Sequence, residues 1–122
     1  MIHVAADSTR RLLLIRYTGT VSPQQTEQAL DDIRSGLATL ERGFRLLVDL
    51  TDLQTMDVAC APFVEKAMDL CNEKGASMVV RVIPDPRRDI GMQIMSIFHY
   101  SGDTRILTCE TLAQAEQILS EP

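Results

Sequence analysis

The strongest constraint in this sequence is the alternation of short apolar runs with segments that carry helix-start and helix-stop residues. Ser22 has the chemistry of an N-cap, Pro23 suits a first helical position, and Gln25 completes a capping box. Leu30, Ile33, Leu37 and Leu40 then recur at four- and three-residue steps as one apolar stripe, with Asp31, Asp32 and Arg34 off it. Gly43 is the expected stop. Phe44 to Leu50 reads as a strand, and Phe63, Val64, Ala67, Met68 and Cys71 mark a second amphipathic helix that Gly75 closes. Ser77 to Ile83 is a third run of strand type, ended by Pro84. A helix is expected from about Pro86 to Tyr100, with Ile90, Ile94, Ile97 and Phe98 inward and Gly102 beyond its end. Arg105 to Cys109 is the last strand. Thr111 with Gln114 forms a second capping box, ahead of Leu112, Ala115, Ile118 and Leu119.

Two strands precede all of this, Ile2 to Ala6 and Arg10 to Thr18, joined at Asp7-Ser8 and ended by Gly19. Their connection is too short for a crossover, so they form an antiparallel hairpin. The order is therefore ββαβαβαβα. Later strands joined through helices imply right-handed crossovers and parallel pairing, giving an α/β fold with a mixed sheet of about five strands and about four helices. With no composition shift or repeat, residues 1–122 read as a single domain.

Composition narrows the function classes. Lys and Arg total 12 against 17 Asp and Glu, a formal net charge of −5, which argues against nucleic acid as a partner. Without Trp, and with two Tyr and three Phe, a base-stacking platform is not expected either. Two His and three Cys leave little material for a metal site, and no cofactor is expected. The N-terminus lacks the pattern of a secretory signal, and no apolar run approaches the roughly 20 residues that span a bilayer. Cys60, Cys71 and Cys109 are odd in number and lack C-x-x-C spacing, which favours a reducing, cytoplasmic setting over a disulfide framework.

The segment Leu47-Val48-Asp49-Leu50-Thr51-Asp52-Leu53-Gln54-Thr55-Met56-Asp57 resembles the signature of STAS domains, the anti-sigma factor antagonist fold. In that pattern an apolar strand ends in Asp-Leu, and after a short loop an Asp opens a helix. Ile97 to Leu119 is similar to the family's closing helix, Ser-Gly turn, strand and capped helix. Met1-Ile2 and Gly19-Thr20-Val21-Ser22 further resemble the SpoIIAA-like branch. The resemblance implies a non-enzymatic regulatory module whose partner is a protein: a kinase, an anti-sigma factor or a sensor. A homodimer is left open.

Many STAS members carry Asp-Ser-Ser-Gly or Asp-Ser-x-Gly in the loop leading to the second helix, and a kinase phosphorylates one of those serines. By that match Asp57 holds the Asp position, Val58 the first Ser, Ala59 the phosphoacceptor and Cys60 the Gly. Neither Val58 nor Ala59 has a hydroxyl, so the modification, worth about −1.5 to −2 charges at neutral pH, is not expected at its usual place. Pro62 is a second departure. A helix starting at Asp57 would place Pro62 in its interior at a cost of about 3 kcal/mol. The helix should instead begin near Ala59 to Ala61, after a longer loop from Asp52 to Ala61. The resemblance thus makes Asp52, Thr55, Asp57, Val58, Ala59 and Cys60 the partner-binding candidates.

Other readings compete. Cys60 at a helix N-terminus suggests a thiol nucleophile, yet it has no basic partner nearby in sequence and Asp57 opposes the thiolate; a small residue filling a tight turn accounts for it better. His3 and His99 show no ligand spacing. Asp49, Asp52 and Asp57 cluster around one strand end; Asp49 falls within the strand, Asp52 and Asp57 are loop residues suited to turns and caps, and these structural roles are favoured over a cation site. Arg87 and Arg88 stand where the macrodipole disfavours them and are candidates for an anion contact. Met92 and Met95 make their helix apolar on more than one side, which suits a binding surface as well as a core. The alternative function is a SpoIIAA-like carrier or sensor of a small apolar or lipid ligand.

Overall fold

The computed structural model describes residues 1–85 and 104–120. The chain opens with β1 (Ile2–Asp7) and β2 (Leu12–Tyr17), which pair antiparallel from Ile2 opposite Tyr17 to Asp7 opposite Leu12. Their turn is closed by Arg11, in the left-handed region at φ 52°, whose amide donates to the Ser8 carbonyl at 3.2 Å. Next come β3 (Gly19–Val21), α1 (Pro23–Ala38), β4 (Arg45–Asp49) and β5 (Leu53–Met56). A single 3-10 turn (Val58–Cys60) runs into α2 (Ala61–Lys74), followed by β6 (Met78–Val82), β7 (Arg105–Cys109) and α3 (Leu112–Ser120).

The main sheet has five strands in the order β1-β2-β4-β6-β7, parallel except for the opening hairpin. Alternation along the strands divides their side chains between two faces. Leu13, Ile15 and Tyr17 of β2 and Leu46 and Val48 of β4 pack with the buried stripe of α1 and the inner face of α2. Leu12, Leu47, Val80 and Val82 face the other way, onto Ala115 and Leu119 of α3. With both faces covered, the parallel strands read as nearly continuous apolar runs, as the physics of doubly covered sheets requires. Phe44 and Leu13 are fully buried, and each such side chain stabilises the fold by about 1.5–3 kcal/mol.

The helix starts follow the sequence closely. Ser22 Oγ accepts from the Gln25 amide at 3.3 Å while Gln25 Oε1 accepts from the Ser22 amide at 2.9 Å. Thr111 and Gln114 repeat the arrangement at 3.1 and 3.3 Å. The α2 helix begins at Ala61 with Pro62 in its first turn, where proline forfeits no helical bond, and it ends at Gly75, left-handed at φ 98°.

Two expectations are corrected. Gly43 does not stop α1: the helix ends at Ala38, with Thr39 as C-cap donating to Gly36, and Leu40 is buried from the turn beyond it. Gly43 lies instead at φ 91° before β4, its amide bonded to the Gly75 carbonyl at 2.8 Å. The stretch from Asp52 to Ala61 is not simply a loop, because it contains β5, which pairs parallel with β3 as a separate two-stranded sheet. The helix expected from about Pro86 to Tyr100, with Arg87, Arg88, Met92, Met95 and His99, lies outside the described residues.

Candidate functional site

At the carboxyl ends of the parallel strands, the chain turns from β4 through Leu50 and Thr51 into β5. Asp49 organises this turn. Its carboxylate is buried and accepts from the Thr51 amide at 3.0 Å, from the Thr51 hydroxyl, and from Arg16 Nε at 3.0 Å. Burial pushes the Asp49 carboxyl up, but the two Thr51 bonds and the Arg16 guanidinium outweigh it and hold the group below the usual carboxylate range. Arg16 and Thr51 were not singled out in the sequence. A Thr two residues after an Asp at a strand end is the signal for this side-chain-closed turn.

From there the Asp52 carbonyl accepts from the Gly19 amide at 2.9 Å, and β5 runs beside β3 to Met56. Val21 ends β3, and its carbonyl receives both the Asp57 amide at 3.3 Å and the Cys60 thiol at 3.7 Å. The Asp57 carboxylate turns back to accept from the Ala59 amide at 2.8 Å, and the Asp57 carbonyl accepts from the Cys60 amide at 2.9 Å. Asp57 therefore caps the 3-10 turn rather than α2 itself. The turn is fixed to β3 by one main-chain bond and by the Cys60 thiol, and it leaves Asp57, Val58 and Ala59 exposed in a row.

Of the candidate contacts, Asp52, Asp57, Val58 and Ala59 reach the surface, Thr55 is half-buried, and Cys60 is fully buried. Cys60 supports the turn from below. Its thiol is pushed up chiefly by burial and further by the Asp57 charge, so the helix start does not generate a thiolate here. The three aspartates act separately, and among the described residues no group of three or more His, Cys, Asp or Glu is arranged to hold a metal. No helix among them is long and apolar enough to cross a membrane. Among the described residues, an apolar pocket between the sheet and α2, bounded by Tyr17, Val48, Met68 and Cys71, measures about 20 Å³, room for about one water. Arg87 and Arg88 lie outside the described residues.

No family model and no curated protein matches the chain. Solved structures do match its fold. An uncharacterized protein of the DUF3478 family with a SpoIIAA-like fold, from Shewanella loihica PV-4, superposes with a TM-score of 0.66 at 17% identity, over 98% of this chain and 92% of that one. The anti-sigma factor antagonist SpoIIAA in its unphosphorylated form superposes with a TM-score of 0.64 at 14% identity, over 99% of this chain and 100% of that one. The chain has the SpoIIAA-like, STAS-type fold.

Proposed function

We propose that the chain is a non-enzymatic regulatory module that presents the ridge from Asp52 to Ala59 to a protein partner, and that phosphorylation does not switch this ridge. The observation that carries the reading is Val58. It is a large apolar side chain, 46% exposed, on a turn held by main-chain bonds at the place where STAS domains engage their partners. A rigid apolar knob flanked by a carboxylate is suited to a protein contact, because little freedom remains to be lost on binding. Val58 and Ala59 supply no hydroxyl where the fold's phosphorylated members carry serine, so the surface keeps one charge state. The three free cysteines accord with a reducing, cytoplasmic setting.

Two measurements test the reading. Incubation with ATP and an anti-sigma factor kinase, followed by peptide mass spectrometry, should leave residues 52–61 unmodified; phosphate at Thr55 would overturn the unswitched form. A photo-crosslinking amino acid at position 58, in the producing cell, should trap a protein that the same probe at exposed Glu27 does not. Equal trapping at both positions, or none at position 58, would remove the ridge as the contact surface.

A further inference from the structure

At the opposite end of the sheet, five residues of β4 and about 16 Å from the ridge, the amino ends of the parallel strands open into a concave pocket of about 390 Å³. Arg10 and Arg11 of the hairpin turn, Arg45 at the start of β4 and Arg105 at the start of β7 line it, with Met78 and Leu119 among its apolar members. In the sheet register Arg45 and Arg105 both align with Met78 of the strand between them, so they project from one face about 10 Å apart at the backbone. Side chains of that length converge readily on one small anion.

Among the described residues, the charges here are only partly balanced. Arg10 pairs with Glu116 at 2.9 Å. Arg11 donates to the Arg42 carbonyl at 2.9 Å, and Arg45 donates to the carbonyls of Leu119 at 2.6 Å and Arg10 at 2.7 Å. These neutral acceptors position the guanidiniums without cancelling their charge. Among the described residues Arg11, Arg45 and Arg105 make no ion pair. A chain with a formal net charge of −5 thus concentrates positive charge in one concavity, and guanidinium forks are the donors best matched to phosphate oxygens.

We infer that this pocket binds a small soluble anion of the diphosphate class, held by Arg105 and Arg45 with Arg10 and Arg11 at its rim. More than one negative charge is required to answer several uncancelled guanidiniums. The half-apolar lining leaves room for an organic substituent on the phosphate. This site is separate from the ridge, and either can fail without the other.

Isothermal titration calorimetry of the full chain with sodium pyrophosphate at low salt tests the inference. Saturable binding is expected, weakening as sodium chloride is raised. Arg105→Glu, at an exposed position, should leave the circular dichroism spectrum unchanged and weaken binding at least tenfold. Glu116→Gln, which releases Arg10 from its carboxylate, should tighten binding. Absence of pyrophosphate binding at millimolar concentration would overturn the inference. So would an affinity that Arg105→Glu leaves intact, or retention of the chain by phosphatidic acid vesicles with no heat from pyrophosphate.

Discussion

Replacing Asp49 with Ala removes the acceptor on which the turn beneath the ridge depends. Three donors lose the Asp49 acceptor at once: the Thr51 amide, the Thr51 hydroxyl and Arg16 Nε. A hydrogen bond to a charged group is worth about 1.5–3 kcal/mol. The sum is reduced because the Arg16 side chain is 37% exposed and re-solvates, and an ion pair of that exposure contributes about 0–1 kcal/mol. A loss of about 2–4 kcal/mol is expected, out of the 5–15 kcal/mol typical of a domain. Urea unfolding at neutral pH measures it as a shift in midpoint at unchanged slope. Acidity supplies an independent check. The folded carboxyl lies below its unfolded value of about 3.9, so its contribution is complete above that value and disappears as pH falls through the lower, folded one. The gap between wild type and Asp49→Ala should therefore narrow on acidification. Asp49→Asn, which can still accept from Thr51 but repels Arg16 through its amide, should lose less. A neutral-pH loss below about 1 kcal/mol, or a gap that widens in acid, would refute this account of the turn.

Gly75→Ala should destabilise by more than about 1 kcal/mol, because its φ of 98° is left-handed and the added methyl would strike Arg42; thermal unfolding reads this directly. Native protein should expose neither Cys60 nor Cys71 to Ellman's reagent, since both are buried and the Cys71 thiol is pushed up to about 12 by burial; denaturant should reveal all three thiols, and rapid native labelling of Cys60 would contradict its placement. Arg81, on β6, is buried with no partner for its Nε among the described residues, and burial pulls its pKa down. Arg81→Met should consequently be neutral or stabilising by about 1–4 kcal/mol in a denaturant titration, and a marked loss would refute the reading that the buried Nε costs stability.

The parts of the fold legible in the sequence are those set by local chemistry. Both capping boxes, the glycine that ends α2 and the limits of β7 follow from residues adjacent in the chain. What escaped depends on distant segments. β3 and β5 have three and four residues, too few for a period, and they exist because they pair across more than thirty positions. The end of α1 was misplaced because buried Leu40 extends the helical stripe from a non-helical turn. Arg81 interrupts an apolar strand without any sequence signal that it is buried. The arginine pocket collects positions 10, 11, 45 and 105, which only the parallel register brings together. At the candidate site, Asp57 as a cap and Pro62 in a first helical turn were readable, whereas the burial of Cys60 beneath β3 was not.

The double use of the Val21 carbonyl has a consequence for how such a surface can change over time. The contour of the ridge is drawn by main-chain atoms, one buried thiol and the Asp57 carboxylate. The side chains at 55, 58 and 59 take no part in the bonds that hold it. Shape and lettering are therefore separable. The outward positions can be rewritten, hydroxyl to methyl or apolar to charged, without redrawing the outline, so a change of partner or the loss of a chemical switch lies within a few substitutions on an unaltered frame.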